Sequence, residues 1–150
     1  MIIYIAGDHR GFYLKESLKL SLKKDGYQVV DVGNPESSPD DDYPNFAAAV
    51  AEKVSGTGGD VRGIVICGSG FGVDIVANKF NGVRSALAMS PDHIRAGRHD
   101  DDVNVLALAS DFIQPDKALE IVHIFLSTPF ENEERYSRRL GEIKQIEETK

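Results

Sequence analysis

The sequence predicts a three-layer α/β/α sandwich on a five-stranded parallel sheet, flavodoxin-like (Rossmann-like), with strand order 2-1-3-4-5. Three observations predict it. Five short runs of β-branched and aliphatic residues read as strands covered on both faces, amphipathic helical stretches separate them, and glycine- or acid-rich turns stand at the junctions.

The first run is Met1 to Ala6, followed by the turn Gly7 to Gly11. From Phe12 to Asp25, Leu14, Leu18 and Leu22 recur on one helix face and Lys15, Lys19 and Lys23 on another, until Gly26 closes the helix. Tyr27 to Val32 is the second strand. Gly33 to Asp42 holds two prolines and four acids and reads as a loop. Helical spacing returns from Tyr43 to Val54 through Phe46, Val50 and Val54, and Gly56-Thr57-Gly58-Gly59 ends it. Gly63 to Cys67 is the third strand, and Gly68-Ser69-Gly70-Phe71-Gly72 leads into a helix carrying Ile75, Val76 and Lys79. Val83 to Ala88 and Val103 to Leu108 supply strands four and five, around a short helix from about Pro91 to Arg98. Two helices complete the chain, Asp116 to Leu126 and about Glu131 to Glu148. With no internal repeat and no long linker, residues 1–150 form one domain.

Of 150 residues, 41% are apolar, enough for a packed core, and 17 Lys+Arg against 24 Asp+Glu leave a formal charge of −7. That balance opposes nucleic-acid binding, which draws its affinity from cations on phosphates. The single cysteine, Cys67, forms no internal disulfide, and no Cys/His set has metal-site spacing, so neither metal nor cofactor is expected. No apolar run approaches membrane-spanning length and no signal h-region precedes Asp8, which points to a cytoplasmic protein without membrane contact.

In parallel α/β folds, chemistry gathers where strands end and helices begin, because backbone N–H groups point outward there. The glycines of Gly68, Gly70 and Gly72 allow several amides to face one oxyanion. The dinucleotide, P-loop and nucleophile-elbow patterns all fail here, since position 73 is Val, no Lys follows and Ser69 is not framed as Gly-x-Ser-x-Gly. Cys67 beside a helix N-terminus is a candidate base, because the partial positive charge there favours a thiolate. Taken alone, a cysteine ending an apolar strand is more often a small buried hydrophobe. Strand order places Asp8 and His9 beside Cys67; Asp8 is equally an N-cap, His9 equally a satisfied loop residue, and Tyr43 is as ambiguous. Arg135 and Arg139 share one helix face and could clamp a phosphate.

The segments Gly7 to Lys15, Asp42-Tyr43-Pro44, Ile66 to Gly72, Ala77-Asn78-Lys79, Gly82-Val83-Arg84, Asn104-Val105-Leu106 and Arg135 to Arg139 resemble the ribose-5-phosphate isomerase B family. That family includes the subunits of galactose-6-phosphate isomerase. The resemblance implies a metal-free aldose–ketose isomerase of a phosphorylated sugar, such as ribose 5-phosphate, acting through a cis-enediolate. It implies a homodimer, or a dimer of dimers, with active sites shared between subunits and the C-terminal helix, about 131–148, at the interface. Cys67 would be the base. Ser69 and the Gly70 to Gly72 amides would hold the enediolate oxygen, with Gly68 also against the substrate. Asp8, His9, Tyr43 and Asn104 would line the substrate, and the partner's copies of Arg135 and Arg139 would bind phosphate. Some relatives carry Gly at position 67 and a carboxylate at 73; Cys67 and Val73 put this chain in the thiol branch.

Two departures bear on the substrate. Where the family places a ring-opening His, this chain has Asp100, with His99 one residue early, so either is the expected ring-opening group. Where the family commonly places an Arg on the phosphate, after the fifth strand, it has Asp111; Arg10 is the expected substitute charge. Two further readings follow: an isomerase of an acyclic or non-phosphorylated sugar, or a non-catalytic or co-catalytic subunit of a hetero-oligomer.

Overall fold

A computed structural model describes residues 1–58 and 60–149; Gly59, in the turn expected to end the second helix, lies outside them. In chain order the elements are β1 (Ile2–Gly7), α1 (Phe12–Lys24), β2 (Gln28–Asp31), α2 (Tyr43–Val54), β3 (Val61–Cys67), α3 (Phe71–Ala77), β4 (Ser85–Leu87), α4 (Pro91–Asp101), β5 (Val105–Ala109), α5 (Pro115–Ser127) and α6 (Glu134–Glu148). Prolines stand in the first turns of α2, α4 and α5, where their missing N–H costs no helix bond. The Ser90 side chain caps α4 by accepting from the His93 amide, and α4 ends at Asp102 in the left-handed region, φ 45°.

All strand pairs are parallel, and the order is β2-β1-β3-β5-β4. The expected 2-1-3-4-5 order is therefore corrected at its far end. All five residues of β5 are buried, so it lies inside the sheet, whereas β4 has only three half-buried residues and forms the edge. Both runs are largely apolar in sequence, with Arg84 and Ser85 interrupting the first and Asn104 the second. What separates them is how many of their residues are covered by helices.

Strand alternation divides the core into two apolar layers. Ile3, Ile5, Ile64, Ile66, Leu106 and Leu108 pack with α1, α4 and α5. Val65, Cys67, Val105 and Ala107 pack with Val50, Val54, Val73 and Ala77 of α2 and α3. Cys67 is thus the last residue of the second layer. Lys15, fully buried on α1, donates to Asp31, Glu16 and the Asn34 carbonyl and so ties α1 to the loop after β2. Helix α6 differs from the rest: Tyr136 is its one buried residue.

Candidate active site

At the C-terminal edge of the sheet, β1 and β3 are neighbours with Gly7 opposite Ile66, and the Asp8 amide donates to the Ile66 carbonyl at 3.2 Å. The turns after these strands therefore touch. The Cys67 side chain ends β3 and is 4% exposed. Its Sγ accepts the Gly70 N–H at 3.2 Å. Gly70 adopts φ +76°, a conformation that side chains disfavour, and this bend turns its amide back on the sulfur. The Gly70 amide, expected on the substrate, therefore serves the thiol in this protomer. Phe71, Gly72 and Val73 open α3 and have no intrahelical acceptor for their amides. The Ser69 hydroxyl makes no hydrogen bond among the described residues.

Two side chains roof the turn. A methyl group built on Gly68 would overlap the Arg10 guanidinium, and one on Gly72 would overlap the Tyr43 ring. Arg10 is ion-paired with Asp111 across the mouth, so the expected substitute charge is matched by the carboxylate it was to offset. Cys67 lines none of the five cavities described. The neighbouring polar residues are held from the loops. Asp8 is 5% exposed and its Oδ1 accepts the Arg10 and Gly11 amides at 3.0 and 2.9 Å, so it braces the turn ahead of α1 rather than capping the helix, whose N-cap position is Gly11 and has no side-chain cap. Asp41 Oδ1 lies 2.7 Å from His9 Nδ1 and also accepts the His9 amide at 2.9 Å. The Asp41 hydrogen bond raises the His9 pKa above its usual value, against the opposing effect of burial.

The remaining expected residues sit elsewhere. Helix α4 starts at the C-terminal edge and runs back beneath the sheet, so about ten residues at 1.5 Å each separate Asp100 from that edge by roughly 15 Å. His99 Nδ1 lies 2.6 Å from Asp100 Oδ1, and the His99 ring packs edge-on to Tyr136 with centroids 5.7 Å apart. The His99 hydrogen bond, with help from Tyr136, holds the Asp100 carboxyl below its ordinary range, which makes it a weaker proton acceptor. Arg135 stacks over the Tyr136 ring at 4.5 Å and donates to its hydroxyl at 2.7 Å. Arg139 is exposed on α6 and has no ion pair among the described residues. One protomer thus carries two separate groups of expected site residues, at opposite edges of the sheet. Asn104 joins neither. Its Oδ1 accepts the Arg84 amide at 2.8 Å and its Nδ2 donates to the Gly82 carbonyl at 2.8 Å, so both polar ends brace the turn before β4.

The sequence profile described as "Ribose/Galactose Isomerase" matches residues 3–143. The chain belongs to the ribose/galactose isomerase family. A probable ribose-5-phosphate isomerase B of Mycoplasma pneumoniae is 40% identical over 148 residues, 99% of this chain and 96% of that one. The crystal structure of ribose-5-phosphate isomerase B from Mycoplasma genitalium with bound ribulose-5-phosphate superposes with a TM-score of 0.95 at 40% identity, covering 99% of this chain and 97% of that one. The Clostridium thermocellum ribose-5-phosphate isomerase B structure gives 0.93 at 41% identity, with 99% of each chain covered.

Within this family member the acidic loop acquires a part that the sequence did not suggest: Asp41 orients His9, and Asn34 Nδ2 in turn reaches Asp41 Oδ2 at 3.3 Å. Tyr136 was missed too. Three consecutive aspartates, Asp40 to Asp42, give no sequence signal for choosing the middle one, and Tyr136 reads as an ordinary apolar position on a charged helix. Among the described residues no helix is long and apolar enough to cross a membrane, and no His/Cys/Asp/Glu cluster could hold a metal ion.

Proposed function

We propose that the chain is an aldose–ketose isomerase of a phosphorylated sugar of the ribose 5-phosphate and ribulose 5-phosphate class, working as a homodimer in the cytoplasm. The observation that carries this reading is the full-length likeness, at 40% identity, to a ribose-5-phosphate isomerase B crystallised with ribulose-5-phosphate. The Cys67 thiolate removes the C2 proton of the open-chain aldose as the C1 carbonyl oxygen takes up charge and a proton to give the cis-enediol; the O2 hydroxyl then loses its proton to form the C2 carbonyl while the Cys67 thiol returns its proton to C1, giving the ketose. The Gly70 N–H at 3.2 Å supports negative charge on sulfur, while Ser69 Oγ and the free amides opening α3 are the donors available to the enediolate oxygen. His9, held by Asp41, contributes positive charge near the phosphate end.

The second group, Asp100, His99, Arg135 and Arg139, completes the site when it comes from a second copy. The separation of the two groups in one protomer supports this, as does α6, whose exposed face carries both arginines. The Arg10–Asp111 pair favours a further reading, a non-phosphorylated sugar, because it leaves little uncompensated charge over the turn, and Asp100 at the ring-opening position favours an acyclic sugar phosphate. Rates on ribose 5-phosphate, a tetrose phosphate and free ribose separate these substrates. The mechanism itself is tested by Cys67→Ala, which is expected to lower kcat by roughly 10²–10⁴-fold with KM little changed. Retained turnover would remove Cys67 as the base.

A further inference from the structure

Among the described residues, Lys15 is the one lysine that is fully buried, and no step of the proposed reaction uses it. Burying an ammonium is costly unless its hydrogens are matched, and here Glu16 Oε1, Asp31 Oδ2 and the Asn34 carbonyl accept all three, the last at 3.2 Å. Two of these contacts are duplicated. Lys19, half-buried one turn further along α1, donates to the same Glu16 and Asp31 oxygens, so two cations and two carboxylates form a neutral cluster. What Lys15 alone supplies is the grip on Asn34.

That grip lies at the head of a polar path to the C-terminal edge of the sheet. Asp31 Oδ1 accepts the Gly33 amide at 2.9 Å, so this contact and that of Lys15 fix the two residues that open the loop after β2. The Asn34 side chain donates from Nδ2 to Asp41 Oδ2 at 3.3 Å, and Asp41 Oδ1 lies 2.7 Å from His9 Nδ1. Otherwise the loop from Pro35 to Asp41 has, among the described residues, only the bond from the Asp41 amide to the Ser38 carbonyl besides its contacts with His9. The place of Asp41 therefore depends on Asn34. At the end of the path, His9 Nε2 makes no hydrogen bond among the described residues and stays available to a ligand.

We propose that Lys15 is a positioning residue for the isomerase site, holding the His9 ring through Asn34 and Asp41 with Nδ1 occupied and Nε2 left to the substrate. Its bearing on the reaction rests on the reading of His9 as a substrate-binding group. The link from Lys15 to His9 is tested apart from that reading.

Lys15→Met, Lys19→Met, Asn34→Ala and the Lys15→Met/Asn34→Ala double variant are compared in the full chain. The readouts are the His9 titration midpoint, followed by NMR, and KM and kcat for ribose 5-phosphate. Removing a nearby cation raises a histidine midpoint, because less like charge opposes protonation. Losing the Asp41 contact lowers it, since that hydrogen bond is the main support of the raised His9 pKa, with the Asp8 and Asp41 charges adding to it. The two causes thus have opposite signs. Lys15→Met and Asn34→Ala should lower the midpoint and raise KM a few-fold with kcat nearly constant, whereas Lys19→Met, which removes only the duplicated ion pairs, should do neither. The double variant should shift no further than the larger single one, as expected for two links of one path. An unmoved or raised midpoint in Lys15→Met, an equal fall in Lys19→Met, additive shifts, or a lowered midpoint with unchanged KM would each overturn the proposal. Where Lys15→Met does not fold, Asn34→Ala decides, since it keeps the buried lysine and cuts the same path; an unmoved midpoint there overturns the proposal too. Absence of turnover in the unmodified chain would instead remove the isomerase reading, and the midpoints would still decide whether Lys15 acts on His9.

Discussion

The two edges of the sheet are built on different principles. At the C-terminal edge the functional atoms belong largely to the backbone: the Gly70 amide reaches Cys67 Sγ because one residue sits at φ +76°, and the amides opening α3 are fixed by the helix itself. At the N-terminal edge the groups are side chains on helices, the half-buried His99 and Asp100 near the end of α4 and the exposed Arg135 and Arg139 in the first half of α6. The first arrangement is complete within one chain. On the proposed reading, the second meets the first across two copies.

The largest expected effect comes from breaking each edge in a different chain. Cys67→Ala and Arg139→Gln should each be nearly inactive as pure proteins. If sites are shared, a mixed dimer has one site that holds both defects and one that holds neither, so subunit exchange at equal amounts should restore about a quarter of full activity. A mixture no more active than its components would show that each chain uses only its own residues. Nothing else separates the two edges as sharply, because recovery from two inactive proteins has no structural explanation within one chain.

How far the sequence reached follows the same division. Where backbone decides, residues were readable: Asp8 and His9 lie beside the Cys67 turn because parallel β1 and β3 pair, and the turn's glycines announce unusual backbone. The β4–β5 exchange is only faintly legible: Arg84 and Ser85 interrupt the run Val83 to Ala88, whereas Val105 to Ala109 is apolar throughout, a contrast that fits an edge strand beside a central one. Side-chain partnerships fared worse. Arg10 was expected to face a ligand and instead pairs with Asp111, 101 positions away, and the choice of Asp41 over its two neighbours depends on where the loop after β2 lands. Asn104 sits within a run that resembles the family, yet its contacts are those of a brace.

That contrast gives an intermediate effect at the N-terminal edge. Asn104→Ala leaves the Arg84 amide and the Gly82 carbonyl without partners at a buried turn, so it should cost about 1–3 kcal/mol of stability. Denaturant midpoints measure the loss, and kcat and KM of the remaining folded protein should stay near those of the unmodified chain. A raised KM at unchanged stability would return Asn104 to the substrate.

The smallest expected effect lies at the C-terminal edge and concerns one proton. Asp41 raises the His9 pKa, so His9 is protonated more readily in the folded chain than in the unfolded one. For a raised pKa, the stabilisation is fully present below the unfolded value near 6.5 and fades as pH climbs through the folded value. Asp41→Asn should therefore lower the His9 titration midpoint followed by NMR, and its stability should differ from that of the unmodified chain most in mild acid and least in alkali. If the His9 cation meets the substrate's phosphate, the variant's KM should rise a few-fold and begin rising at lower pH, with kcat nearly constant. A midpoint that moves while KM does not would leave the pair as a tether for the loop and take His9 out of the binding site.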